Sequence, residues 1–381
     1  MRREIFRQEH ELFREQFRRF VQREVVPHLA EWNQAGITPR SIWKRMGEEG
    51  YLGCNQPEEV GGSGGDFLFD AIIMEELAYF RAHALQASLH TDICLPYLTT
   101  WASEEQRRKY LVPAIAGDCL LAIAMTEPGA GSDLAGIQTR AVRDGDCYVV
   151  EGAKTFISNG QNCDLVIVVV RTDPSQRHHG LSLLLVEAGT PGFERGRNLA
   201  KIGLKGQDTS ELFFRSCRVP ASNRLGEEGK GFQMLMEKLQ QERLCIAVGS
   251  MASVRRSLDD TLAYVKQRRA FGRSIGSFQN TQFKLAELES EYQIGQAFVD
   301  KLLVAHCRGE EIVSEVSMAK WWTTELQKRT ASECLQLHGG YGFMEEVPIS
   351  GDYCDAAVQS IYAGTNEIMK RIIARRLGLG D

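Results

Sequence analysis

The sequence has no apolar run approaching the ~18 residues that a membrane-spanning helix requires, so no span is expected. Its charge is nearly balanced, with 45 lysines and arginines against 50 aspartates and glutamates for a formal −5. That mild imbalance favours neither nucleic acid nor an anionic membrane as a partner. Ten cysteines are present without a single Cys-x-x-Cys pair. They are scattered, and Cys245 and Cys334 fall inside helical apolar patterns, which reads as reduced core thiols of a cytoplasmic protein rather than a disulfide framework. Internal repeats and low-complexity linkers are lacking. So are a Gly-Lys-Ser/Thr phosphate loop and a G-x-G-x-x-G fingerprint. Seven arginines in the first 23 residues invite a transit-peptide reading. However, Glu4, Glu9, Glu11 and Glu15 interleave with them, and transit peptides are poor in acids. Phe6, Phe13, Phe17 and Phe20 fall on one helical face, so a packed amphipathic helix is expected instead.

What is present is a chain of 381 residues, enough for two or three packed units. Residues 1–120 read as helical, with patterns over the opening segment, 41–50, 67–80 and 104–115. Between them lie a glycine loop at 61–65, read as a flexible turn, and a small apolar stretch at 85–98 closed by Pro96. From Leu121 the period changes. Short β-rich runs at 121–125, 147–150, 155–158, 165–170, 181–186 and 211–214, separated by turn clusters, predict a compact antiparallel sheet or barrel ending near Pro220. They do not alternate with helices, which disfavours a Rossmann sheet. Long helical patterns at 232–269, 281–307 and 312–337, and a last one ending near Arg376, predict a four-helix bundle. The expected class is α+β: a helical domain over 1–120, a β domain over 121–222 and a bundle over 223–381.

Four stretches have the composition of a ligand site. In LAIAMTEPGAGSD (121–133) an apolar strand runs into a loop in which Pro128, Gly129 and Gly131 bring backbone amides close together beside Thr126 and Ser132. An ordinary turn is the plain alternative. Arg268-Arg269-Ala270-Phe271-Gly272, followed by Phe278 and Gln279, supplies guanidinium groups for a pyrophosphate and a ring for stacking, although basic helix ends are common. Residues 336–342, QLHGGYG, end a helix in glycines that serve either a ligand or a plain C-cap, and His338 reads as a packed histidine. Residues 362–367, YAGTNE, open the final helix, whose amides favour an anionic or carbonyl oxygen.

The strongest single catalytic candidate is Glu242. Leu235, Leu239, Ile246 and Gly249 surround it at spacings of four and three, which points its carboxylate along an apolar stripe. Burial there raises a carboxyl's pKa and makes it a base for a reluctant proton. Pairing with a neighbouring helix or a nearby arginine accounts for the position equally well.

The ordered set MTEPGAGSD (125–133), KTFISNG (154–160), QERL (241–244), RRAFG (268–272), QLHGGYGF (336–343) and IYAGTNEI (361–368) resembles the acyl-CoA dehydrogenase family, and its long-chain branch most. The likeness runs over essentially the whole chain and implies FAD, with no metal, and removal of two hydrogens from the α and β carbons of an acyl-CoA. By position it implies that Met125, Thr126, Gly131 and Ser132 line the flavin, with Ser132 also near CoA, and that Phe156 and Ser158 pack against the ring system. Many relatives have tryptophan where this chain has Phe156. Arg268, Phe271, Gln279, Gln336 and Gly340 match the residues holding the ADP half, much of it across a subunit interface, which implies a dimer and usually a homotetramer. Thr365 and Glu367 match flavin contacts, and Arg243, Ala363 and Gly364 fall on the substrate side. Short- and medium-chain members carry their base where this chain has Ala363, whereas long-chain and isovaleryl members carry it at the position of Glu242. Cys354 stands where many relatives have arginine, a site read as structural. An electron transfer flavoprotein is the implied electron acceptor. A branched short-chain dehydrogenase, a flavin-dependent oxidase and a flavin protein without turnover are the other readings.

Overall fold

The computed structural model describes residues 3–379. Helix Gln8–Phe20 buries Phe17 and Phe20, and the rings of Phe13 and Phe17 pack on Tyr51 at 5.8 and 4.7 Å between centroids. Arg14 and Arg18 of this helix reach across to Glu76 of helix Phe67–Tyr79. That second helix is capped by the Asp66 carboxylate, which accepts from the Leu68 N–H. It is buried nearly all round because it lies between the first helix and the C-terminal bundle. The glycine loop, expected as a flexible turn, is tied down: Gly64 and Gly65 donate to the Gln56 and Cys54 carbonyls, and a side chain at Gly62 would strike the Gln56 backbone. Pro96 does not close the apolar stretch either. It sits in the first turn of helix Leu95–Trp101, where its missing N–H is no loss, and a π turn, Leu89–Cys94, leads into it.

The middle of the chain forms β1 (Leu121–Ala124), β2 (Arg140–Asp144), β3 (Cys147–Ser158), β4 (Leu165–Arg171), β5 (Leu181–Glu187), β6 (Phe193–Asn198), β7 (Thr209–Pro220) and β8 (Arg224–Leu225). They make one sheet in the order β6-β7-β3-β2-β4-β5-β8, with β1 beside β4. The sheet is mixed rather than antiparallel. β1 runs parallel to β4 from Leu121↔Leu165 to Ala124↔Val168, and Arg140 and Arg171 form one further parallel bridge. The reason is connectivity, since the β2–β3 hairpin separates β1 from β4 and so serves as the crossover a parallel pair needs. The two short runs at 147–150 and 155–158 are one strand, interrupted by register shifts between Val150 and Gly152 and between Lys154 and Ile157.

The C-terminal part holds three long helices, Gly231–Gln267, Gln279–Cys307 and Val313–His338, followed by Pro348–Gln359 and Asn366–Arg376. The expected pattern at 232–269 overshoots. Arg268 is already extended (φ −66°, ψ 128°), and Arg269–Ala270 pairs with Arg273–Ser274 in a ribbon that turns through Phe271 and Gly272 at φ 50° and 78°. Helix Gly231–Gln267 crosses two cores. Its start contributes Met234 and Leu235 to a cluster with Leu95, Tyr97, Leu98 and the strands, and from Leu244 onward it lies in a cluster with Phe67, Leu68, Ala71 and the bundle. Among the described residues no helix is long and apolar enough to cross a membrane.

Gly231 seats the start of that helix on β5: a Cβ there would lie 2.8–3.0 Å from backbone atoms of Leu181 and Ser182. Gly231→Ala therefore overpacks a backbone contact and should destabilise the protein by about 1–3 kcal/mol in chemical denaturation. An unchanged midpoint would show that the helix start is free to move.

Candidate active site

Glu242 lies between the two cores that its helix crosses, and it is 4% exposed. Its only hydrogen bond among the described residues comes from Tyr97, whose hydroxyl donates to Oε1 at 3.0 Å. No cation forms an ion pair with it there, so the alternative of a structural salt bridge is not what this carboxyl makes. Burial pushes its pKa up to about 7, while the Tyr97 hydrogen bond and the charge of Arg243 pull the other way. Two further contacts fix the helix against the 89–101 segment: Gln241 Nε2 donates to the Asp92 carbonyl at 2.7 Å and Lys238 Nζ to Thr100 Oγ1 at 2.8 Å. Tyr97 was not among the expected site residues. It stands in an apolar stretch without periodicity, and only the fold brings it to Glu242.

The neighbouring Arg243 is buried, and its Nε has no partner among the described residues. One of its terminal nitrogens lies 3.8 Å from where a Cβ on Gly364 would stand, so the substrate-side candidates Arg243, Ala363 and Gly364 do converge. Ala363 and Gly364 hold left-handed backbone (φ 52° and 89°). They are tethered from beneath by Lys320, a wholly buried lysine that sequence reasoning does not single out, whose Nζ donates to the Gly364 carbonyl at 2.9 Å and to Asn366 Oδ1 at 3.2 Å. Burial first, and then the charge of Arg243, lower the Lys320 pKa to about 8. Thr365 caps the last helix through its hydroxyl, which accepts from the Ile368 N–H, and Glu367 stands exposed in the first turn.

A second group gathers where β1 ends. Met125 and Thr126 are half-buried, and Gly131 and Ser132 are exposed. The loop is held by Lys154, fully buried in β3, whose Nζ donates to the Met125 carbonyl at 3.1 Å and pairs with Glu127 at 2.8 Å. Glu127 also accepts from the backbone N–H groups of Gln138 and Thr139, which closes the loop on itself. Thr155 N–H donates to the Thr126 carbonyl, bringing the next residue, Phe156, alongside. Phe156 is 67% exposed and held at φ 58°, so most of a large ring projects from the strand. Ser158, two residues on, is half-buried.

The remaining candidates lie at the far end of the bundle. A groove of about 440 Å³ is lined by Arg268, Tyr264, Ile275 and the 337–341 turn, with Met344 at its edge. Arg268 and Gly340 both line it, with the Arg268 guanidinium 5.6 Å from the Tyr341 ring centre. Phe271, 94% exposed, and the exposed Gln279 and Gln336 lie outside this lining. His338 is packed, stacking on Tyr264 at 4.3 Å with Nδ1 2.9 Å from the Cys334 carbonyl. No hydrogen bond, ion pair or ring contact among the described residues joins this groove to the β1 loop.

Burial raises Glu242 from 4.5 and Asp92 from 3.8, each to about 7. The folded protein holds these protons more tightly than the unfolded chain does. The stability they contribute is therefore complete below the ordinary carboxylate range and is lost as pH rises through 7. Glu242→Gln cannot ionise and escapes its share, up to about 3 kcal/mol. It should raise the thermal midpoint over the parent at pH 8 and leave it nearly unchanged at pH 4. Equal shifts at both pH values would show that the carboxyl titrates normally.

Models of the acyl-CoA dehydrogenase N-terminal, middle and C-terminal domains match residues 7–118, 122–217 and 229–378. The chain is 50% identical over 377 residues to the mitochondrial long-chain specific acyl-CoA dehydrogenase of Sus scrofa, covering 98% of this chain and 88% of that protein. It superposes on the crystal structure of an acyl-CoA dehydrogenase from Geobacillus kaustophilus with a TM-score of 0.98 and 52% identity, covering 99% of this chain and 100% of that one. An FAD complex of PigA gives a TM-score of 0.94 at 28% identity over 98% of each chain. Matched along nearly its whole length, this chain belongs to the acyl-CoA dehydrogenase family of oxidoreductases.

Proposed function

We propose that the chain is an FAD-dependent dehydrogenase that converts a medium- to long-chain acyl-CoA to its trans-2-enoyl-CoA, with Glu242 as the base. The observation that carries this reading is the Glu242 carboxyl itself: buried, without an ion pair among the described residues, and poised near neutrality.

The residues present fit FAD. Phe156 offers an exposed ring beside the half-buried Thr126, and Gly131 and Gly340 have open space where a side chain would be. Arg268 brings a guanidinium to a groove edged by glycine backbone, a donor set suited to pyrophosphate. A bound FAD would supply the acceptor for the substrate's β-hydrogen, which leaves as hydride. Met125, Thr126, Gly131 and Ser132 line the flavin in this reading, Phe156 and Ser158 pack on its ring, and Thr365 and Glu367 contact it. Arg268, Phe271, Gln279, Gln336 and Gly340 hold the ADP half. Among the described residues no hydrogen bond, ion pair or ring contact joins them to the β1 loop, which supports delivery of that half to a neighbouring subunit, and a homotetramer is the assembly the family resemblance implies.

Glu242 must be ionised to accept the α-proton, and a pKa near 7 leaves a large fraction ionised at neutral pH. Charge then develops on the thioester oxygen, where the Ala363 N–H serves as donor even though its methyl group cannot act as a base. Arg243 and Lys320 lie at the Gly364 side of that loop and place positive charge beneath it. Ser132 stands near the CoA moiety. A cytoplasmic location accords with ten cysteines that are all free, and an electron transfer flavoprotein is the acceptor expected for this family.

Glu242→Gln should keep its bound FAD and yellow colour but lose anaerobic bleaching by dodecanoyl-CoA, with the reduction rate falling by about 10²–10⁴-fold. Undiminished bleaching would overturn the assignment. Rates across acyl-CoAs of four to eighteen carbons test the chain length, since a maximum at a branched five-carbon acyl group would contradict it.

A further inference from the structure

Tyr97 is fully buried, its ring packs on Trp101 at 5.6 Å, and its hydroxyl makes one hydrogen bond among the described residues, to Glu242 Oε1. Glu242 Oε2 makes none there, so the two oxygens differ: one is occupied by a phenol and the other is free. We propose that Tyr97 is the positioning residue of the base, fixing the carboxylate so that Oε2 takes the substrate's α-proton and stabilising the ionised form through its hydroxyl. This rests on the reading of Glu242 as the base.

The chemistry of the surroundings leaves that task to Tyr97. Facing Glu242 from the 89–101 segment are Tyr97 and Cys94, and next to it on its own helix are Arg243 and Cys245. Both thiols are buried and pushed well above their ordinary range, so they stay neutral. Arg243 makes no hydrogen bond to the carboxyl and lies against Gly364, with Lys320 beyond it. Asp92 and Asp70 lie past Cys245 and are themselves pushed towards their neutral forms by burial. Burial and the proximity of Glu242 also push the Tyr97 phenol well above its ordinary range, so it remains a donor at every pH the protein meets. In the transfer the α-carbon's proton passes to Oε2, and Tyr97 keeps its own throughout. The hydrogen bond favours the charged carboxylate, whereas burial favours the neutral acid, and the balance puts the base near neutrality.

Tyr97→Phe removes only the hydroxyl from a packed ring, and a hydrogen bond to a charged group is worth about one pH unit or more. The direct readout is the protonated-carboxyl infrared band of the resting FAD-bound protein, assigned by its loss in Glu242→Gln. Its titration midpoint should rise by about one unit in Tyr97→Phe. Anaerobic flavin reduction by dodecanoyl-CoA should fall about 10-fold more at pH 6 than at pH 9, and the deficit that persists at pH 9, with substrate affinity little changed, reports the lost positioning. 3-Fluorotyrosine installed at position 97, a stronger donor, should move the midpoint down. A band and pH profile in Tyr97→Phe superposing on the parent's would overturn the proposal, and so would shifts of the same sign in both variants. If instead Glu242→Gln reduces flavin as fast as the parent, it is the assignment of the base that fails.

Discussion

The structure turns on placing one carboxyl where little water reaches, with a single phenol as its hydrogen-bond partner among the described residues. A carboxylate left alone in such a place takes up a proton, and one clamped by an arginine loses its basicity. Glu242 falls between these limits because the one cation next to it, Arg243, turns to the Gly364 loop instead. The position demands that two separately built parts of the chain meet in register. Gln241 and Lys238 secure that register through the Asp92 carbonyl and the Thr100 hydroxyl on either side of the Tyr97 contact.

Both loops that frame the candidate site are held in the same way. Lys154 beneath the β1 loop and Lys320 beneath the 363–366 turn are buried ammonium groups that donate to backbone carbonyls, of Met125 and Gly364 respectively. Desolvation weighs against each charge and brings both pKa values down to about 8. Buried ions of this kind add little to net stability, but they penalise any conformation in which the carbonyl turns away. The return is rigid loops in a place where glycine would otherwise leave the backbone loose. Ala363 at φ 52° shows the strain such anchoring tolerates.

What could be read from the sequence follows from how local each signal is. Helical spacing of Leu235, Leu239, Ile246 and Gly249 suffices to put Glu242 on a buried stripe, because that geometry is decided within three turns. Continuous apolar runs mark the cores of β4 and β5, which are buried along nearly their full length. β6, with the sequence FERGRN, is charged and mostly exposed, so neither alternation nor propensity announces it. The parallel partner of β1 lies 44 residues away beyond a hairpin, and no turn signal encodes it. Tyr97, 145 residues from its partner, and Lys154, 27 residues from Glu127, lie beyond any periodic pattern for the same reason. Helix Pro348–Gln359, with a glycine in its first turns, gives too weak a pattern to stand out.

The helix that runs from Gly231 to Gln267 belongs to two hydrophobic clusters at once, and Glu242 stands at the crossing. Neither cluster is complete without it, so loosening either one strips packing from the segment that bears the carboxyl. In the proposed mechanism, loss of catalysis and loss of structure are thereby joined in one event. With Glu242 as the proposed base, a partly melted molecule would carry a water-exposed glutamate of ordinary acidity, too weak a base for a thioester's α-hydrogen, and would stand idle rather than react at random.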